Sequence, residues 1–176
     1  MLISLVRLPN DGLKFEHRYQ DGELDLADRD FKLSRPVVVH GRVDRVGAEM
    51  RLRGNLETII QRPCDRCLKD VDLPIDLPFD LIYVAADKEN QRTGEIELTA
   101  DDLGISVYEN DQIDLDEMVV EQLELSLPFR LLCQEDCRGL CPQCGADLNT
   151  EACDCQPLID PRWEALVAVK EELEKK

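Results

Sequence analysis

The chain predicts an α+β fold: a β-rich antiparallel sheet or partial barrel, a few helices, and a cysteine-rich, zinc-ribbon-like C-terminal segment. Three observations carry this. Period-two alternation fills the first half, a single strong helix pattern begins at Asp114, and eight cysteines fall in four close pairs. The organisation expected is a β-rich main domain over 1–130 with a helix near 114–126. A metal-binding segment follows over 131–157, and a C-terminal helix over 158–176 packs back on the main domain.

Residues 2–8 form a candidate strand, and 13–19 form another after the Pro9-Asn10-Asp11-Gly12 turn. The clearest element is a hairpin over 37–60, whose Gly47-Ala48 loop suits a turn with glycine first. Pairing outward from it sets Val43 opposite Leu52, Gly41 opposite Gly54 and Val39 opposite Leu56 on one face. The other face then carries Asp44 with Arg51, Arg42 with Arg53 and His40 with Asn55. Turn, alternation and pairing agree, which fixes the register. The opposed glycines indicate a bend or a close backbone approach.

A further strand is expected over 77–86. Residues 87–113 are acidic and weakly patterned, an excursion with a short strand near Ile96 and turn signals at Thr93-Gly94 and Asn110-Asp111. Asp114 then caps a helix, with Glu117 completing a capping box. Leu115, Met118, Val119 and Leu123 form its apolar stripe, and Pro128 ends it. The last helix opens at Asp160-Pro161 and is expected to bury Trp163, Leu166 and Val167.

The cysteines are Cys64, Cys67, Cys133, Cys137, Cys141, Cys144, Cys153 and Cys155. No stretch approaches the roughly 20 apolar residues of a membrane span. The start has no basic region before its apolar run, so a signal peptide is not expected. The expected compartment is the cytoplasm, where thiols stay reduced and close cysteine pairs serve as metal ligands. Cys141-Pro142-Gln143-Cys144-Gly145 is the strongest motif, because two thiolates three positions apart can face one ion. Cys153 and Cys155 are the nearest pair to complete its set. Cys64, Cys67, Cys133 and Cys137 then form a second set that ties the sheet to the C-terminal segment. Exchange of Cys137 with a member of the other set is an open alternative. The cofactor expected is zinc, as one or two structural ions. Four thiolates at a site leave no open position for catalysis.

The net charge of −17 is uneven. Residues 1–70 hold 13 basic and 12 acidic side chains, residues 71–132 hold 3 and 16, and residues 133–176 hold 5 and 10. Such a protein is repelled by polyphosphate over most of its surface, so contact with nucleic acid must use a local patch. The candidate patch is His40, Arg42, Arg51 and Arg53 on the hairpin with Arg62 and Arg66 beside the first cysteine pair. The plainer reading of that face is a solvated sheet surface with an Asp44–Arg51 pair. The acidic run 72–124 reads either as solubility or as a landing surface for a basic partner. No Ser-His-Asp set, phosphate-cradling loop or paired-carboxylate site can be argued. Asp101-Asp102 and Asp114-x-Asp116 have simpler readings as turn or helix-start residues.

The succession Cys64-Asp65-Arg66-Cys67-Leu68, Ile113-Asp114-Leu115, Glu121-Gln122-Leu123 and Leu127-Pro128, ending in the run from Leu132 through Cys133, Cys137, Cys141 and Cys144 to Asn149, resembles the YceD family. These are bacterial and plastid proteins. The resemblance covers the chain from about residue 30 and implies a role in accumulation of 23S ribosomal RNA and in large-subunit biogenesis. It implies no catalytic residues. The expected function is a non-enzymatic factor touching ribosomal RNA or a precursor of the large subunit through the basic face. The alternative is an acidic escort for a basic large-subunit ribosomal protein.

Overall fold

A computed structural model of the chain describes residues 1–27, 29–86, 104–155 and 162. Its centre is the hairpin of β4 (Val38–Val46) and β5 (Glu49–Pro63). The register is the one the sequence dictates, with Val39 opposite Leu56, Gly41 opposite Gly54 and Val43 opposite Leu52. Gly47 leads the turn at φ +64°, a backbone region that glycine enters without steric cost. The glycine pair has a packing reason. Phe15 and Phe79 lie opposite Gly41 and Gly54 on the flanking strands. A Cβ on Gly54 would stand 2.6 Å from the Phe79 ring and 2.8 Å from the Gly41 Cα. Both rings therefore need bare backbone beneath them.

Around this hairpin the sheet grows to six strands. β2 (Leu13–Arg18) pairs antiparallel with β4, and β3 (Lys32–Leu33) pairs with β5 beyond the end of β4. β6 (Asp70–Ala85) runs antiparallel along nearly all of β5. It begins at Asp70, well ahead of the strand expected over 77–86. Pro74 and Pro78 hide this start in the sequence, since proline argues against a central strand. Both are tolerated because the sixth strand, β7 (Ile105–Tyr108), covers β6 only along Ile82–Ala85. Among the described residues the earlier part of β6 is an open edge, which needs no N–H donor on that side. β7 lies parallel to β6, so the sheet is mixed rather than wholly antiparallel.

The Asn110-Asp111 turn, with both residues at positive φ, leads from β7 into β8 (Gln112–Asp114). β8 pairs with β1 (Leu2–Ser4), which is all that remains of the strand expected over 2–8. Helix α1 (Leu115–Ser126) follows directly, with the Asp114 carboxylate accepting the N–H groups of Asp116 and Glu117 as its cap. Its buried face of Leu115, Met118, Val119, Val120 and Leu123 joins Val39, Val43, Leu52, Leu56, Ile60, Ile75, Phe79 and Tyr83 in one core. Burial of each such side chain contributes about 1.5–3 kcal/mol. The strand near Ile96 and the C-terminal helix with Trp163, Leu166 and Val167 lie outside the described residues. β5 and β6 overrun the rest of the sheet, and their connection, residues 64–69, projects from its end.

Candidate metal centres and the arginine faces

That connection is a knuckle. The Cys64 N–H donates to the Lys69 carbonyl at 2.8 Å, and the Leu68 N–H donates to the Cys64 carbonyl at 3.0 Å. The turn directs N–H groups toward sulfur, with the Arg66 N–H 3.5 Å from Cys64 Sγ. A second knuckle repeats the pattern. The Cys141 N–H donates to the Ala146 carbonyl at 2.8 Å, and the Gly145 N–H to the Cys141 carbonyl at 2.9 Å. The residue after the second cysteine adopts positive φ in both, 58° at Leu68 and 75° at Gly145.

Each knuckle meets one further cysteine pair. Cys64, Cys67, Cys133 and Cys137 form one cluster, and Cys141, Cys144, Cys153 and Cys155 the other; within each, all four sulfurs lie within 4.8 Å of one another. This is the first of the two groupings the sequence left open. In the first cluster Cys64 and Cys137 are 3.8 Å apart and Cys67 and Cys133 are 3.5 Å apart. A tetrahedral four-thiolate site with metal–sulfur bonds of about 2.3 Å has sulfur–sulfur edges of about 3.8 Å. Both clusters can therefore hold a metal ion.

The proton equilibria agree. Burial would raise the Cys64 thiol, but N–H groups of Cys67, Arg66 and Cys133 outweigh it and bring the pKa down to about 6. Cys133 is pushed up to about 12, first by the Cys67 thiol and then by burial. In the second cluster the N–H groups of Cys144 and Gln143 draw Cys141 down to about 6, and Cys144 drives Cys155 up to about 12. Each pocket favours one thiolate and resists the next. A cation held by the four sulfurs would allow the remaining protons to leave.

Residues without an assigned role in the sequence reading brace the clusters. Asp65 clamps the chain before Cys133, donating its N–H to the Leu131 carbonyl at 2.9 Å and accepting the Leu131 N–H at 2.6 Å. Gly139, at φ +77°, passes so close to Arg66 that a Cβ would stand 2.9 Å from its carbonyl oxygen. Asn149 accepts the Arg138 N–H at 2.8 Å and points its amide at Cys137 Sγ, 3.5 Å away. Asp147 binds Lys69 at 2.6 Å; that ammonium, with the Asn149 N–H and amide groups, holds its carboxyl down to about 2. The Asp147-Leu148-Asn149 spacing is a turn signal that could have revealed this last pair.

The six residues proposed for RNA separate into two places. His40, Arg42, Arg51 and Arg53 share the outer sheet face, but its arginines are paired. The expected Asp44–Arg51 pair does not form. Asp44 binds Arg42 at 2.6 Å and Arg53 at 2.9 Å, while Arg51 makes two bonds to Asp80 on β6, at 2.7 and 2.5 Å. Asp44 and Arg51 are opposite in the backbone register, yet guanidinium groups reach along and across strands, and β6 supplies a second carboxylate. Arg53 first, and then Arg42 against the effect of burial, holds the Asp44 carboxyl below the usual range; Arg51 does the same to Asp80. Arg62 and Arg66 lie elsewhere, at the first knuckle. Arg62 reaches the Pro128 carbonyl at 3.4 Å and Asp65 at 3.7 Å, and Arg66 donates to the Cys137 carbonyl.

The molecule is thus a mixed-sheet protein whose C-terminal segment folds around two four-cysteine clusters able to bind metal. It belongs to the YceD family: residues 52–170 match the family described as large ribosomal RNA subunit accumulation protein YceD. An uncharacterized protein of Bacillus subtilis, YlbN, is 27% identical over 169 residues, covering 94% of this chain and 92% of its own length. An uncharacterized protein of Mycobacterium tuberculosis is 33% identical over 126 residues, 72% of this chain and 58% of that protein. The chloroplastic large ribosomal RNA subunit accumulation protein YCED homolog 1 of Zea mays is 28% identical over 144 residues, 69% of this chain and 49% of the maize protein. The match therefore spans less than two thirds of the mycobacterial and maize relatives. No solved structure shows a significant match.

Proposed function

We propose that this is a non-enzymatic, cytoplasmic factor that supports accumulation of 23S ribosomal RNA and biogenesis of the large ribosomal subunit. In this reading two structural zinc ions, one in each cluster, hold its C-terminal segment, and a local basic surface touches ribosomal RNA or a large-subunit precursor. The single observation that carries the reading is the family match over 52–170, together with the function contained in the name of the maize relative. Zinc is favoured by the all-cysteine donor sets. Four thiolates also complete the coordination sphere, which suits a staple better than a catalyst. Among the described residues no helix is long and apolar enough to cross a membrane.

A second reading is an acidic escort for a basic large-subunit ribosomal protein. It is favoured by Asp25, Asp116, Glu117, Glu121 and Glu124, which line a depression of about 440 Å³ along α1 where Arg29 is bound to Glu124 at 2.7 Å. Affinity purification of the tagged protein at low salt, with and without nuclease, separates the two. Recovery of 23S precursor, with protein partners lost on nuclease treatment, supports direct RNA contact. One basic ribosomal protein retained after nuclease supports the escort.

A further inference from the structure

Beside the first cysteine cluster lie arginines that make no ion pair among the described residues, and with them a fully exposed aromatic ring. Phe129 is 105% exposed. Its position is not that of a loose loop, because both flanks are fastened. The Pro128 carbonyl accepts Arg62, and Leu131 is buried and bonded twice to Asp65. The backbone is held while the ring is presented to solvent.

Three arginines are set at the same end by their backbone positions. Arg130 follows Phe129 directly, and Arg138 follows Cys137, whose carbonyl accepts Arg66. Among the described residues, Arg66, Arg130 and Arg138 make no ion pair, in contrast to Arg42, Arg51 and Arg53 on the hairpin face. Glu135 and Asp136 are exposed in the same segment, so the field here is local rather than broad.

From this juxtaposition we infer that the rim of the first cluster, Phe129 with Arg66, Arg130 and Arg138, is a docking site for single-stranded RNA. One unstacked base lies on Phe129, and the guanidinium groups hold adjacent phosphates. The inference rests on the reading that the protein touches ribosomal RNA, and it names the surface. A lone ring suits a base that is already unpaired, since it offers stacking without edge-specific hydrogen bonds. Guanidinium forks match phosphate oxygens bidentately. With two or three phosphates engaged, the logarithm of affinity falls with the logarithm of salt at a slope of about −2.

The test is fluorescence anisotropy of the full chain, metal loaded, with a labelled mixed-sequence single-stranded oligoribonucleotide and its duplex form. The expected result is preference for the single strand, about tenfold weaker binding by Phe129→Ala, recovery in Phe129→Trp, and weaker binding by Arg130→Glu. Melting temperature and metal content should stay at wild-type values in all three, since these side chains are exposed. If these variants bind as wild type while Arg42→Glu or Arg53→Glu abolishes binding, the inference fails and direct RNA contact by the hairpin face stands. If the wild-type protein binds neither RNA form, the reading of direct RNA contact fails with it.

Discussion

The two cysteine clusters start from the same local structure and end in different roles. Each begins as a knuckle whose backbone bonds match to within 0.1 Å, and each places its fifth residue at positive φ. They differ in what closes them. The first draws Cys64 and Cys67, at the end of the sheet, onto Cys133 and Cys137, which lie 66 to 73 positions away, and all but Cys133 are buried. The second closes within residues 141–155, and Cys144 and Cys155 are exposed. A cross-link between distant segments restrains the whole chain, whereas one within a short loop restrains that loop. With metal bound, the first cluster would accordingly staple the fold and the second would staple its own segment.

The largest expected effect comes from breaking the first. Cys64→Ser should lose one equivalent of metal and lower global stability on the order of 5 kcal/mol, because metal binding there is folding free energy. Denaturant unfolding with metal analysis measures both. Cys144→Ser should also lose one equivalent, yet shift the main unfolding transition by less than about 1 kcal/mol, with proteolysis appearing only near residues 141–155. Equal destabilisation by the two variants would erase the distinction.

A smaller effect probes the seam between the clusters. Gly139→Ala forces a Cβ against the Arg66 carbonyl at positive φ and should cost about 1–3 kcal/mol, read as a lowered unfolding midpoint with both metal equivalents retained. The smallest effect compares the knuckles directly. Leu68 is exposed and strained, and Gly145 has open space around it. Leu68→Gly should therefore stabilise by about 0.5 kcal/mol, and Gly145→Ala should loosen its own loop by about 1 kcal/mol, measured by unfolding and by amide exchange respectively.

The fold was legible in the sequence wherever several local signals agreed. Gly47-Ala48, the alternation on either side and the opposed Gly41 and Gly54 allow one register, and the structure adopts it. The cysteine grouping was only partly legible: adjacent pairs satisfy a four-ligand site most economically, but exchange of Cys137 stayed open until the sulfurs were placed. The start of β6 was hidden, since its prolines are acceptable only on an edge, and β7 pairs with β6 only along Ile82–Ala85. Ile105–Tyr108 gives too short an apolar signal, inside an acidic run, to announce a parallel strand. The ion pairs of the hairpin face were not legible because Asp44 has three arginines within reach. Only the placement of Asp80 on β6 assigns Arg51 elsewhere. Nor could the sequence expose Phe129, which reads as any apolar residue after a helix until Asp65 and Arg62 are seen fastening its neighbours.

The most direct test of the unequal clusters is hydrogen exchange on the metal-loaded Cys144→Ser protein, followed segment by segment. Loss of protection confined to residues 139–155, with β4, β5, β6 and α1 still protected, is the predicted result. Loss that spreads into β5 and β6 would contradict it, and would make the second cluster as much a part of the fold as the first.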